Sequence, residues 1–349
     1  MTTSLSNRNT AVDIVRITAT VMIVLAHVVA PVYERPDFVG GTAWLISLIT
    51  ITVSRLGVPM FLLISGYLLV MKERSIPENL IHTWKRILFP CLFWSLVTYI
   101  GLYISQRQYP VVNRDVFFTS AGTGNYFLMG LAIIYLLNPI IQLLTRSISR
   151  QHLQLLLGVL AVSTVGQTIA GYIYQTPFTN IFNYWFLCLF YFIYGQYYRL
   201  YEDRFRQWTL AIPLAVFLIT QLINVGIIYR VRATGFTGNL LIESYFGPTV
   251  LLSSLGLFHT LMRIQSQKVS ENWRHLLINF ANACFGVYLI HGIVLDLILH
   301  KTTINPYGEV KINLILFLGV VVVLTLGGSF LLSFLLGKQK YARKTLGQN

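Results

Sequence analysis

The chain has 349 residues, of which 55% are hydrophobic and only 11% charged. Mean hydropathy is +0.65, whereas a soluble globular domain carries about 25% charged residues, so an ordinary soluble fold is excluded. The net charge of +14 is scattered over short connections rather than gathered on one face, which argues against nucleic acid as a partner and for membrane orientation.

Apolar runs suited to spans of about 20 residues are predicted at about 12–31, 54–71, 86–105, 124–145, 153–173, 182–199, 208–229, 244–264, 276–299 and 312–337. The expectation is an all-α polytopic integral membrane protein of about ten helices, forming one transmembrane domain over 1–349. The first run is expected to be retained, because a secretory signal core is short and uncharged and this one carries Asp13, Arg16 and His27. Residues 44–51 read as an interfacial helix or as the start of a long kinked one. Pro59, Pro90, Pro213 and Pro248 fall in or near spans, where the missing N–H kinks a helix and frees a carbonyl. Lys and Arg favour the connections on the N-terminal side by about two to one, which places both termini in the cytoplasm. The longest outer connections are about 106–123 and 230–243. Cys91, Cys188 and Cys284 lie in apolar segments without a CxxC pair, which supports neither a disulfide framework nor a metal site.

The polar stripe on the first helix is the sharpest signal. Eleven residues of α-helix return to within about 20° of the starting direction, so Arg16 and His27 share a face roughly 16 Å apart. Asp13 and Thr20 lie near that face and the rest of the segment is apolar. Ionisable groups in a membrane are costly and turn toward protein or a watery cavity. In the plainer reading, Asp13 pairs with Arg16 and His27 meets a backbone carbonyl. In the functional reading the stripe is a reaction path, with Asp13 orienting Arg16.

Further along, Val58-Pro-Met-Phe61-Leu-Leu-Ile-Ser65-Gly66-Tyr67 reads first as a small-residue packing site, with Ser65 also a candidate for contact with substrate. Trp84-Lys85-Arg86-Ile-Leu-Phe-Pro90 carries cations that topology alone explains but that also suit phosphate. The aromatic run Tyr184–Tyr198 packs helices or stacks sugars. Glu243 at an outer mouth is either a solvated loop residue or a partner for a glycan hydroxyl. Phe285-Gly286-Val-Tyr288-Leu-Ile-His291 adds a second intramembrane histidine, with Asp296 five residues on; His291 reads as a packing or hydrogen-bonded residue and also as a candidate for contact with substrate.

Taken in order, Arg16-x10-His27, the 58–67 stretch, Lys85-Arg86-x-x-x-Pro90, Tyr126-Phe-Leu with Tyr135 and Pro139, and the 285–291 stretch resemble the acyltransferase 3 family over nearly the whole chain. The chain departs from the family pattern in two places. Phe61-Leu62 replaces a Phe-Phe pair, and Thr83 replaces the first Arg of an Arg-x-x-Arg.

The resemblance implies a bacterial inner-membrane enzyme that moves acyl groups, usually acetyl, onto lipid-linked or cell-surface glycans. It implies His27 as the catalytic histidine and Arg16 as required with it at the donor site. Acetyl-CoA is then a substrate and no cofactor is bound; the partners are the donor, the glycan and membrane lipids. The CoA nucleotide is too charged for hydrocarbon, so Arg16 with Lys85 or Arg86 is expected to hold its phosphates. Neutral His27 then takes a proton from a sugar hydroxyl, or forms a transient acyl-imidazole. Two rival classes stay open. A flippase or exporter of a lipid-linked sugar would relay protons through His27, His291 and Asp296, but paired repeat halves are not seen. A sensor or scaffold leaves the Arg16/His27 stripe unexplained.

Overall fold

The computed structural model describes residues 8–104, 126–174, 184–236, 238, 240–264, 269–301 and 313–348. The expected outer connection at 106–123 lies outside them. Among the described residues the fold is all helix, without a strand. Helix α1 spans Thr10–Tyr33, α2 Thr42–Ser54, α3 Gly57–Leu69 and α4 Ile76–Thr83, with a π-helical turn at Trp84–Leu88 leading into α5 Phe89–Ile104. There follow α6 Tyr126–Ser147, α7 Arg150–Ile173, α8 Tyr184–Leu200, α9 Glu202–Arg206, α10 Ala211–Ala233 and α11 Pro248–Leu261. The last are α12 Glu271–Lys301, α13 Leu314–Lys338 and α14 Ala342–Thr345.

Local chemistry accounts for the breaks. Asn9 caps α1, its side chain accepting from the Ala11 N–H. Ser75 and Glu78 form a capping box at α4. Pro59 lies in the first turn of α3, where its missing N–H is tolerated. α2 and α3 are therefore two arms of one kinked helix, broken at Arg55–Leu56. Pro90 cannot donate to the Arg86 carbonyl four residues back. The chain widens there, and the Phe89 N–H bonds instead to the Trp84 carbonyl, which makes the π turn.

Among the described residues eight helical segments, with Thr42–Leu69 and Leu241–Leu261 each taken as one, are long and apolar enough to cross a membrane. The described parts of α5 and α8 run 16 and 17 residues, against the roughly 20 of a straight span. α1 sits at the centre and packs against α2, α3, α11, α12 and α13. α7, α10 and α13 bury the least of themselves, as helices whose outer faces meet lipid do.

The tightest crossing joins α3 and α8. A Cβ on Gly66 would lie 1.9 Å from the Phe192 carbonyl oxygen, and one on Gly195 would lie 2.0 Å from that of Leu63. Here small residues let two backbones touch, the packing reading of the 58–67 stretch. Gly66→Ala forces the pair apart and is expected to lower stability at the upper end of the roughly 1–3 kcal/mol typical of overpacking. A fall in the thermal unfolding midpoint in detergent checks this. The aromatic run of α8 is packing as well: Tyr191, Phe192 and Tyr198 are essentially fully buried.

Candidate active site

At the N-terminal end of α1 the bundle opens into a cavity of about 510 Å³. Its wall includes Arg8, Arg16, Lys72 and Arg199, with Asp13 as its one carboxylate among the described residues. Asp13 does not orient Arg16. Arg8 grips it with a forked pair, Nε to Oδ2 at 2.8 Å and Nη2 to Oδ1 at 2.7 Å. Arg8 sits just before the helix begins and reaches both carboxylate oxygens at once, the stronger geometry. The Arg16 guanidinium makes no hydrogen bond to a described residue; it faces the cavity with its donors available. Tyr67 closes the far wall, its hydroxyl donating to Glu202 Oε2 at 2.9 Å and accepting from Arg199 at 2.9 Å.

More cations converge from the connection after α3 and from the π turn. Burial pushes the Lys72 ammonium below its usual range, and Arg74, Arg16 and Arg86 push it further down. The His82 imidazole is pushed down to about 4, first by burial and then by Arg74, Arg86 and Lys72. Nη1 of Arg74 is buried with no hydrogen-bond partner among the described residues. Tyr135 stacks on His82 with ring centroids 6.4 Å apart. A buried donor without a partner is uncommon and calls for an explanation. So does the crowding of Arg16, Arg74 and Arg86 around Lys72. An anion entering between them answers both. Lys85 and Arg86 part company here: Lys85 is exposed, while Arg86 is half-buried and within electrostatic reach of Lys72.

Further along the same face of α1 stands His27. It is exposed, yet Thr20, Ile23 and Val24 below it are buried. That face is covered by protein, so His27 opens onto a space inside the bundle. Its ring lies 5.1 Å from that of His291, centroid to centroid, at 47°. His291 Nδ1 is 2.6 Å from the Tyr288 carbonyl oxygen. A carbonyl only accepts, so Nδ1 carries the proton and Nε2 keeps its lone pair. Tyr288 packs edge-on against Phe61 at 6.2 Å and Phe127 at 5.8 Å. Tyr288 also lies 5.9 Å from the His291 ring, so this aromatic cluster stands beside the histidine pair.

The remaining candidates are already engaged within the fold. Ser65 is buried and accepts from the Tyr135 hydroxyl at 3.3 Å. The Glu243 carboxylate is already occupied: it takes Arg232 Nη2 at 3.0 and 3.2 Å, the Leu240 N–H at 3.1 Å and the Tyr33 hydroxyl. Arg55 stands 3.6 Å away, and both guanidiniums lie over the Tyr33 ring. Glu243 thus clasps the ends of α1, α2 and α10 together, with no oxygen left for a glycan hydroxyl.

The acyltransferase 3 family model, described as an acyltransferase domain, matches residues 9–334. The chain belongs to the acyltransferase 3 family of membrane acyltransferases. No curated protein and no solved structure matches it. In this acyltransferase, residues that sequence reading weighs only as topology markers line the cavity, Arg8, Lys72 and Arg199, with Arg74 close to Lys72. Lys72-x-Arg74 directly after the Ser65-Gly66-Tyr67 stretch is the one local hint of it. Tyr67 and Glu202 meet only through the fold.

Proposed function

We propose that the protein is an O-acyltransferase that carries an acyl group, acetyl by preference, from cytosolic acyl-CoA to a hydroxyl of a cell-envelope or lipid-linked glycan. The observation that carries this reading is one helix face with two ends. One end opens on a cavity lined by four cations, of which Arg16 and Lys72 have no carboxylate partner among the described residues, and the other holds an exposed histidine against a second one. The positive-inside bias puts the cation end and both termini in the cytoplasm, in a bacterial inner membrane.

The phosphates of the donor sit among Arg16, Lys72, Arg74 and Arg86, where guanidinium forks match phosphate oxygens. The pantetheine arm, thin and without charge, runs past the aromatic cluster of Phe61, Phe127 and Tyr288. The roughly 16 Å from Arg16 to His27 is on the order of its extended length. The thioester then stands beside His27. Neutral His27 takes the proton of a sugar hydroxyl as the oxygen attacks the thioester carbonyl. The tetrahedral intermediate collapses, the C–S bond breaks, and the CoA sulfur leaves with the proton returned from His27. Tyr245-Phe-Gly247-Pro248 resembles the enterobacterial common antigen O-acetyltransferase, which favours acetyl as the group and an envelope polysaccharide as acceptor.

Mass spectrometry of envelope glycans from a deletion strain tests the reading. One glycan class should lose its acetyl ester and regain it when the wild-type protein is restored. Glycans identical in both strains would overturn it.

A further inference from the structure

We infer that residues 342–348 form part of the donor site, by positioning Arg86. This rests on reading Arg86 as a ligand of the acyl-CoA phosphates. The segment lies far from Arg86 in sequence, and nothing in its composition marks it.

The fold brings the two together. After α13 the chain turns back through α14 and drives Leu346 into the core, where it is 0% exposed. Leu346 packs over Gly286: a Cβ there would come within 3.3 Å of the Leu346 Cδ2. The Trp94 indole N–H donates to the Thr345 carbonyl at 2.9 Å. The Arg86 Nη1 donates to the Gly347 carbonyl at 3.1 Å. Gln348 closes the segment by donating to the Asn282 carbonyl at 3.1 Å.

The contact meets a weak point in α4–α5. Pro90 leaves the Arg86 carbonyl without its helical donor, and the backbone there is a π turn rather than an α-helix. Such turns are uncommon and need outside support. Gly347 supplies it by lying flat against that turn. Its φ is +61°, and a Cβ on it would sit 2.5 Å from the Arg86 carbonyl oxygen. Only glycine meets both conditions. The Gly347 carbonyl engages one of the five guanidinium N–H groups of Arg86. The others stay available, so the contact aims the fork rather than occupying it. Lys85, one residue earlier, receives no such support and stays exposed. Arg86 is thus a ligand held in place, and residues 342–348 are positioning residues.

The test measures KM and kcat for acyl-CoA with full-length protein, a truncation ending at Tyr341, Trp94→Phe, and each combined with Arg86→Gln. Trp94→Phe keeps the ring packed while removing one anchor of the segment. The truncation should raise KM about tenfold, the worth of one lost positioning contact to a charged group, with kcat at saturating donor retained. Trp94→Phe should raise it less. In the Arg86→Gln background neither change should add to the effect, because they act through the same guanidinium. An unchanged KM on truncation would overturn the inference. So would effects that add fully to Arg86→Gln, or KM and kcat falling together with protein yield. Wild-type protein that shows no saturation with acyl-CoA would overturn the donor reading itself, and this inference with it.

Discussion

His27→Ala is expected to abolish acyl transfer while leaving the protein inserted and folded. A positioned general base contributes about 10²–10⁴-fold in rate, and loss on that scale takes an acylated glycan below detection. The fold should be indifferent to the change. The His27 ring makes no hydrogen bond to a described residue and faces open space, so its removal breaks no buried pair. Alanine also suits a membrane helix better than histidine does. Glycan acylation measured at matched protein levels checks this. Wild-type acylation by the alanine variant would remove His27 from the chemistry.

Arg16→Lys is expected to weaken acyl-CoA binding roughly 10–100-fold, as one or two charge-assisted hydrogen bonds are lost. An ammonium keeps the charge but cannot make the forked bond. The structure sharpens what this variant means. Asp13 belongs to Arg8, so Arg16 is not half of a structural ion pair. Asp13→Asn therefore should not rescue Arg16→Gln; since it also breaks the Arg8–Asp13 pair, the clean variant is Arg16→Gln alone, which should fold yet bind donor poorly. Calorimetry on detergent-purified protein reads the affinity directly. Equal affinity in wild type, Arg16→Lys and Arg16→Gln would return Arg16 to a structural role.

These expectations show which parts of the molecule a sequence exposes. The all-α membrane class is legible because apolar length is a local property, and α1 with its polar stripe can be drawn from periodicity alone. Gly66 is legible too, since a small residue in an apolar helix has few uses besides close approach. Convergence is not legible. Arg16 from α1, Lys72 and Arg74 from the α3–α4 connection and Arg86 from the π turn lie on separate elements, and orientation alone accounts for each charge. Asp13 misleads because helix spacing places it near Arg16, while a better-aligned guanidinium arrives from outside the helix. Glu243 misleads because a carboxylate beside a loop looks solvated until Arg55, Arg232 and Tyr33 close on it. The π turn itself follows from Pro90, but what supports it lies at residues 342–348.

The most direct test of the central claim is acyl transfer by the purified protein in liposomes, with isotope-labelled acetyl-CoA on the Arg16 side and a lipid-linked glycan acceptor in the membrane. The account predicts that label moves to the glycan as an ester, that free CoA appears in equal amount, and that His27→Ala protein in the same liposomes does neither. Movement of the glycan across the bilayer without consumption of acetyl-CoA would contradict it and make the protein a flippase.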